Sequence, residues 1–328
     1  MAINEFTRAA LRAISYPDIS IKKSYCFERE LKSIGSRSLL SPLYKLWDRK
    51  ITVDGRDIPV RIYQPPVPTD ENCNGLSDHT LIFFHGGGWV KETVDTYNKV
   101  CMGLARHTGA NVVSVEYRLA PEHKFPMGLM DCYAAARELY LHPDTLGVFS
   151  DNYTLMGDSA GANLAAAVSL MARDKGEFTV QRQILVYPAT HYDHSETSPF
   201  PSVRENGCDY LLTAKRINEY TELYRRSEAD LQNPYFSPLL ADVHHQPDTL
   251  LITAEFDPLR DEGEAYGDKL RAAGNRVLSY RMRDALHGFL SLPPRFVHVK
   301  RTYALINSFL NEEQAYDIEN HKGLGQTR

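Results

Sequence analysis

The stretch Tyr153-Thr154-Leu155-Met156-Gly157-Asp158-Ser159-Ala160-Gly161-Ala162-Asn163 decides the fold. Tyr153 to Met156 reads as a short strand, and Ala160 to Arg173 as a helix that stops near Gly176. Between them stands G-x-S-x-G. A serine on a sharp strand-to-helix turn has strained backbone angles, and side chains two residues to either side would collide with the neighbouring strand and helix. Ser159 would then sit at a helix N-terminus, where free N–H groups and the dipole favour negative charge. By itself the pentapeptide arises by chance in roughly one chain in ten of this length, and a glycine-rich helix start accounts for it equally. The strand before it and the small residues after it (Ala160, Ala162, Ala165, Ala166, Ala167) make Ser159 a candidate nucleophile.

Working outward, strands and helices alternate. Leu81 to Phe84 and Val112 to Val115 are continuous apolar runs, as strands covered on both faces are. A helix is predicted over 128–141, closed by Pro143, and a strand over 184–187. After an irregular stretch the rhythm resumes with a strand at 250–254, a helix from about Asp261 to Ala273 capped by Gly274, a strand at 277–282 and a last helix from about Arg295 to Leu310. Upstream, Ile51 to Val53, a turn at 54–57 and Ile58 to Tyr63 read as a hairpin, and 64–79 as a surface loop. This pattern predicts an α/β fold, a mostly parallel sheet with helices on both faces. The division expected is 46–189 and 246–328 for the sheet domain, with 1–45, helix-like and polar, and 190–245, rich in Pro and Tyr with one helix near 214–226, as cap material.

The chain has 328 residues, with 42 acidic and 37 basic side chains and a net charge of -5. That balance offers no electrostatic footprint for nucleic acid or an anionic membrane surface. No 18 apolar residues run together, and Glu5, Arg8 and Arg12 interrupt any signal-peptide core near the N-terminus. The five cysteines are odd in number, scattered and without CxxC spacing, which argues against a disulfide framework or a zinc site and fits free, mostly buried thiols in the cytoplasm.

Two further pieces carry chemistry. His85-Gly86-Gly87-Gly88-Trp89 follows the strand at 81–84 directly. A P-loop would continue Gly-Lys-Ser/Thr, whereas this chain continues Trp89-Val90-Lys91. Consecutive glycines let backbone N–H groups approach an oxyanion without obstruction, so Gly86 and Gly87, with the N–H of Ala160, are the expected donors. In a hydrolase of this order an acid and then a histidine should follow the serine. Asp257 lies just past the strand at 250–254, with Glu255 and Asp261 as competitors, although Asp261 suits the first turn of the next helix. His287 is the histidine in the loop after the last predicted strand.

Together HGGGW, the run Tyr117-Arg118-Leu119-Ala120-Pro121-Glu122-His123-Lys124-Phe125-Pro126, GDSAG, FDPLRD (256–261) and HGF (287–289) resemble the hormone-sensitive-lipase-like esterases, bacterial acetyl esterases most of all. The likeness covers about residues 80–290. It implies an α/β-hydrolase sheet, a cap from the N-terminal helices plus an insertion after the sixth strand, a triad at Ser159, Asp257 and His287, oxyanion glycines at Gly86 and Gly87, and no metal or organic cofactor. Trp89 departs from the family, which more often has Phe or Tyr there. The implied activity is ester hydrolysis through an acyl-enzyme. The aromatics of the insertion (Tyr192, Tyr210, Tyr220, Tyr224, Tyr235, Phe236) either pack the cap onto the body or, with Trp89 beside the glycine loop, form a short acyl pocket favouring acetyl to butyryl esters; Trp89 and Asp158 are the expected pocket residues. An amide or thioester hydrolase, or a ligand-binding protein on the same scaffold, are the other classes. The last helix, with Val297, Val299, Tyr303, Ala304, Ile306 and Leu310, packs on the body or, in a homodimer, on a second subunit.

Overall fold

The computed structural model describes residues 20–36, 46–65, 79–147, 150 and 152–311. Eight strands form one sheet: β1 (Leu46–Val53), β2 (Arg56–Tyr63), β3 (His79–Phe84), β4 (Asn111–Val115), β5 (Asn152–Asp158), β6 (Arg182–Val186), β7 (Asp248–Phe256) and β8 (Val277–Leu286), in the spatial order β1-β2-β4-β3-β5-β6-β7-β8. β1, β2 and β4 pair antiparallel, and every pair from β4 to β8 is parallel. The predicted hairpin is present with a tighter turn, at Asp54 and Gly55 alone, both at positive φ (50° and 74°) as a two-residue hairpin turn requires.

The helices are α1 (Ile21–Ser36), α2 (Asn98–Thr108), α3 (Met127–Leu141), α4 (Ala160–Lys175), α5 (Pro201–Asn206), α6 (Ala214–Tyr224), α7 (Arg260–Ala272) and α8 (Val297–Leu310). Strand β3 is buried at every residue, and its alternation divides the core. Ile82 and Phe84 join the apolar cluster that α3, α4 and α7 cover, while Leu81 and Phe83 join the cluster under α2 and α8. Each face of a parallel strand buries a continuous apolar run in this way.

Sequence reading missed α2. Asn98 to Thr108 is amphipathic but opens without a side-chain cap, so no start signal marks it. The short α5 was hidden by its prolines. The helix predicted from about Asp261 begins at Arg260, with Pro258 in the turn before it. In α8, Val299, Tyr303, Ile306 and Leu310 pack on the body, and Val297 and Ala304 face outward. Of the described cysteines, all free, Cys101 and Cys132 are buried but Cys26 and Cys208 are exposed, so burial is less general than expected; Cys73, most of the predicted loop at 64–79 and most of the 1–45 cap segment lie outside the described residues. No described helix is long and apolar enough to cross a membrane.

Candidate active site

Ser159 stands between β5 and α4 with φ 55° and ψ -120°, sparsely populated angles that persist only where the surroundings enforce them. The enforcement is visible. A Cβ on Gly157 would lie 2.3 Å from the Gly161 backbone, and one on Gly161 would lie 2.0 Å from the Phe84 carbonyl oxygen. The Ser159 N–H donates to the Val186 carbonyl at 2.9 Å, which ties the turn to the neighbouring strand.

His287 follows β8, and its Nε2 lies 2.8 Å from the Ser159 Oγ. Its Nδ1 lies 2.7 Å from Asp257 Oδ2. A carboxylate only accepts, so Nδ1 carries the proton and Nε2 is free to accept from the serine hydroxyl. Asp257 is fully buried, and its Oδ1 accepts the Leu259 N–H at 2.9 Å. The competitors point elsewhere: Glu255 accepts the Asp284 N–H, and Asp261 pairs with Arg260 and the Ser202 N–H. The three candidates from three separate strand ends thus stand in one hydrogen-bonded row, an arrangement able to move a proton from hydroxyl to imidazole.

The row opens into a pocket of about 200 Å³ lined by Gly87, Gly88, Trp89, Lys91, Glu92, Tyr97, Asp158, Ser159, Ala160, Ala189, Leu212, Ile217, Tyr220, Leu259, His287, Gly288 and Ser291. Gly86 is not among them, and here the sequence reading needs correction. The Gly86 N–H donates to Asp158 Oδ1 at 2.9 Å and is not available to a ligand. A buried carboxylate holds an amide more strongly than a passing carbonyl can. Gly87, Gly88 and Ala160 line the pocket instead, and among the described residues their amides donate to no backbone acceptor outside the regular elements.

Asp158 contributes to the pocket wall, but its carboxylate oxygens are engaged by groups of the protein. Besides Gly86 it accepts from the Tyr97 hydroxyl at 2.9 Å and the Tyr187 hydroxyl at 3.2 Å. Burial pushes its carboxyl up to about 6, and burial raises both phenols well above their ordinary value, so they remain donors. Trp89, at φ 59°, lines the pocket and stacks on Tyr224 with ring centroids 4.6 Å apart and ring planes nearly parallel. Phe236 completes this aromatic cluster.

The segment 190–245 reaches the pocket through Leu212, Ile217 and Tyr220, and α1 packs beside it. Asn163 donates to the carbonyls of Ala189 and Phe236 at 2.9 Å each. Arg29 of α1 donates to the carbonyls of Val90 and Ala120 and pairs with Glu122. Lys91 pairs with Glu28 at 2.7 Å, and Glu219 of α6 accepts the Ile21 N–H at 2.6 Å. The sequence assigns no role to Tyr97, Tyr187 or Asn163, whereas Tyr220 is one of the insertion aromatics that it offers for the pocket. None stands in a motif of its own, and Tyr187 was visible only as the last residue of a predicted strand. No group of three or more His, Cys, Asp or Glu among the described residues has the geometry to hold a metal ion.

A parallel sheet carrying a serine on a strained turn, with a histidine and an aspartate on the loops after its last two strands, is the architecture of an α/β hydrolase. Residues 81–291 match the family model described as the alpha/beta hydrolase fold, and the chain belongs to that family, in the hormone-sensitive-lipase-like branch that its motifs resemble. It is 37% identical over 254 residues to an arylesterase of Saccharolobus solfataricus, covering 77% of this chain and 79% of that one. To an ethyl acetate hydrolase of Pseudomonas putida it is 34% identical over 243 residues, 74% of each chain. Among solved structures, a hyperthermophilic esterase of Pyrobaculum calidifontis superposes with a TM-score of 0.80 at 35% identity, over 95% of this chain and 99% of that one.

Proposed function

We propose that the chain is a carboxylic ester hydrolase that cleaves short-chain esters, acetyl to butyryl, by two-step acyl transfer on Ser159. The observation that carries this reading is the continuous row Ser159 Oγ to His287 Nε2, 2.8 Å, and His287 Nδ1 to Asp257 Oδ2, 2.7 Å, at the base of a pocket of about 200 Å³. In the first step His287 takes the proton of Ser159 as Oγ attacks the ester carbonyl, while Asp257 fixes the tautomer and stabilises the imidazolium. His287 then gives that proton to the departing alkoxide. In the second step it activates water, which attacks the acyl-enzyme and releases the acid and the free serine.

The developing oxyanion is held by the N–H groups of Gly87 and Ala160, with that of Gly88 adjacent, each donor being worth about 3–4 kcal/mol in comparable sites. The short-chain preference rests on the size of the pocket, which falls below the roughly 300–1,000 Å³ of sites for drug-sized ligands. We assign α1 and 190–245 to a cap and the rest of the described chain to the hydrolase body. The free thiols of Cys26, Cys101, Cys132 and Cys208 fit a cytoplasmic setting.

Hydrolysis of p-nitrophenyl esters from acetate to decanoate, beside Ser159→Ala, tests the reading. The expected result is turnover that peaks at two to four carbons and falls by about 10⁶ in the variant. Ser159→Ala activity within tenfold of wild type removes the nucleophile assignment. A folded protein without turnover on any ester, but active on the matched amide or thioester, moves the activity to that bond.

A further inference from the structure

Asp158 stands beside the candidate nucleophile, is 2% exposed and satisfies its two oxygens with three neutral donors. Burying a carboxylate without a cationic partner is expensive, and a neutral Asn would occupy the same space at lower cost. A charge kept at such expense inside a cleft points to the chemistry of that cleft.

The contacts say what the charge does. Oδ1 takes the Gly86 N–H, and Gly86 is a glycine for this reason: a Cβ there would lie 2.9 Å from Asp158 Oδ2 and 2.8 Å from the Tyr97 hydroxyl oxygen. Gly87 and Gly88, the next two residues, line the pocket. Oδ2 takes the Tyr187 hydroxyl, which itself accepts the Leu290 N–H at 3.3 Å. The Tyr187 ring lies with its centroid 4.7 Å from that of His287. One carboxylate therefore ties the oxyanion loop to the loop 287–290 that carries the general base.

We propose that Asp158 is a positioning residue of this site, which through Oδ1 sets the aim of the Gly87 and Gly88 amides and through Oδ2 and Tyr187 holds His287 in line with Ser159. The proposal rests on the reading of Ser159 as the nucleophile. The titratable groups that face Asp158 are Tyr97 at the start of α2, Tyr187 after β6, Tyr117 after β4, His85 after β3, His287 after β8 and Cys101 within α2. With a carboxyl near 6, Asp158 is ionised in working enzyme and takes up a proton on the acid side, which loosens its hold on Gly86 and Tyr187.

The test measures kcat and KM on p-nitrophenyl acetate from pH 5 to 9 for wild type, S159A, D158A, D158N and Y187F, with the active-site fraction set by the p-nitrophenol burst and folding by thermal melts. Displacement of reacting groups by about 1 Å costs on the order of 100-fold. D158A and D158N are accordingly expected to lower kcat about 10- to 100-fold with KM within about threefold, and Y187F to lower kcat less. The acid limb of log(kcat/KM) should be steeper than one proton in wild type and fall to a single proton in D158N. A purely structural carboxylate would lower the melting temperature and leave both kcat per titrated site and the limb unchanged. That outcome, with S159A inactive, overturns the proposal alone. S159A activity within tenfold of wild type overturns the acyl-transfer reading and this proposal with it. If D158A does not fold, D158N and Y187F decide.

Discussion

At Asp158 the chemistry and the stability of the protein pull in opposite directions. Its carboxyl titrates near 6 in the folded chain against an ordinary 3.8. Between those values the native state binds a proton that the unfolded chain does not, so the contribution of Asp158 to stability rises as pH falls through about 6 and is lost again as pH rises above it. Thermal melts of wild type and D158N at pH 5 and pH 8 check this: the melting temperature of wild type relative to the variant should be higher at pH 5. An unchanged difference would mean that the carboxylate is better solvated than its burial indicates. At the same scale, Ser159, Asp257 and His287 were each readable from a local context, a G-x-S-x-G turn or a loop after a strand. The engagement of the Gly86 amide was not readable, because its partner lies 72 residues away in the chain and nothing in HGGGW tells which glycine N–H is spent inside the protein.

Among the elements, the loop that leads from β6 into the 190–245 segment is pinned, beyond the Asn163 contact, by a side chain of α7. Glu262, in the first turn of α7, accepts the N–H groups of Thr190 and His191 and meets His194 Nε2 at 2.6 Å, with both side chains of that pair essentially inaccessible. Burial works against a charged His194, but the Glu262 carboxylate outweighs it and holds the imidazole above its ordinary 6.5. The stabilisation is thus complete below pH 6.5 and lost as pH rises through the raised value. His194→Ala leaves Glu262 buried without its cation and is expected to destabilise the fold by about 3 kcal/mol, more at pH 6 than at pH 8.5, as chemical denaturation at the two pH values would report. Equal losses at both would show that His194 is neutral throughout. This pair was invisible in the sequence, where His194 was one of several histidines in an irregular stretch. The strands were legible because parallel strands bury both faces and read as apolar runs. Helix α2 was not, because no capping side chain opens it.

For the whole molecule, the sheet brings residues from the ends of β3, β5, β7 and β8 to one edge, and the covering segments decide what reaches them. Tyr220 of α6 shows this most directly, since its ring fills the space beside Gly88: a Cβ on that glycine would lie 2.5 Å from the ring. Tyr220→Ala should open the pocket and shift the preferred acyl chain of the p-nitrophenyl series to greater length, with p-nitrophenyl acetate still hydrolysed. An unaltered chain-length profile would place the limit on acyl length at another wall, such as Trp89 or Leu212. The tyrosines of 190–245 divide between two tasks here. Tyr224, with Phe236 and Trp89, packs that segment onto the body, whereas Tyr220 faces the cavity.

The linear chain determined the α/β class, the hydrolase family and the three residues of the row. Each is encoded by short-range constraints: a period of burial, a turn that only glycine permits, a loop directly after a strand. The tertiary structure alone decided which backbone amides remain for an oxyanion, what Asp158 does, and how narrow the pocket is. Those properties depend on pairs brought together from distant parts of the chain, Gly86 with Asp158, Glu262 with His194, Gly88 with Tyr220. Local sequence carries no record of which donor a buried carboxylate will capture, because that choice is made only when the elements pack.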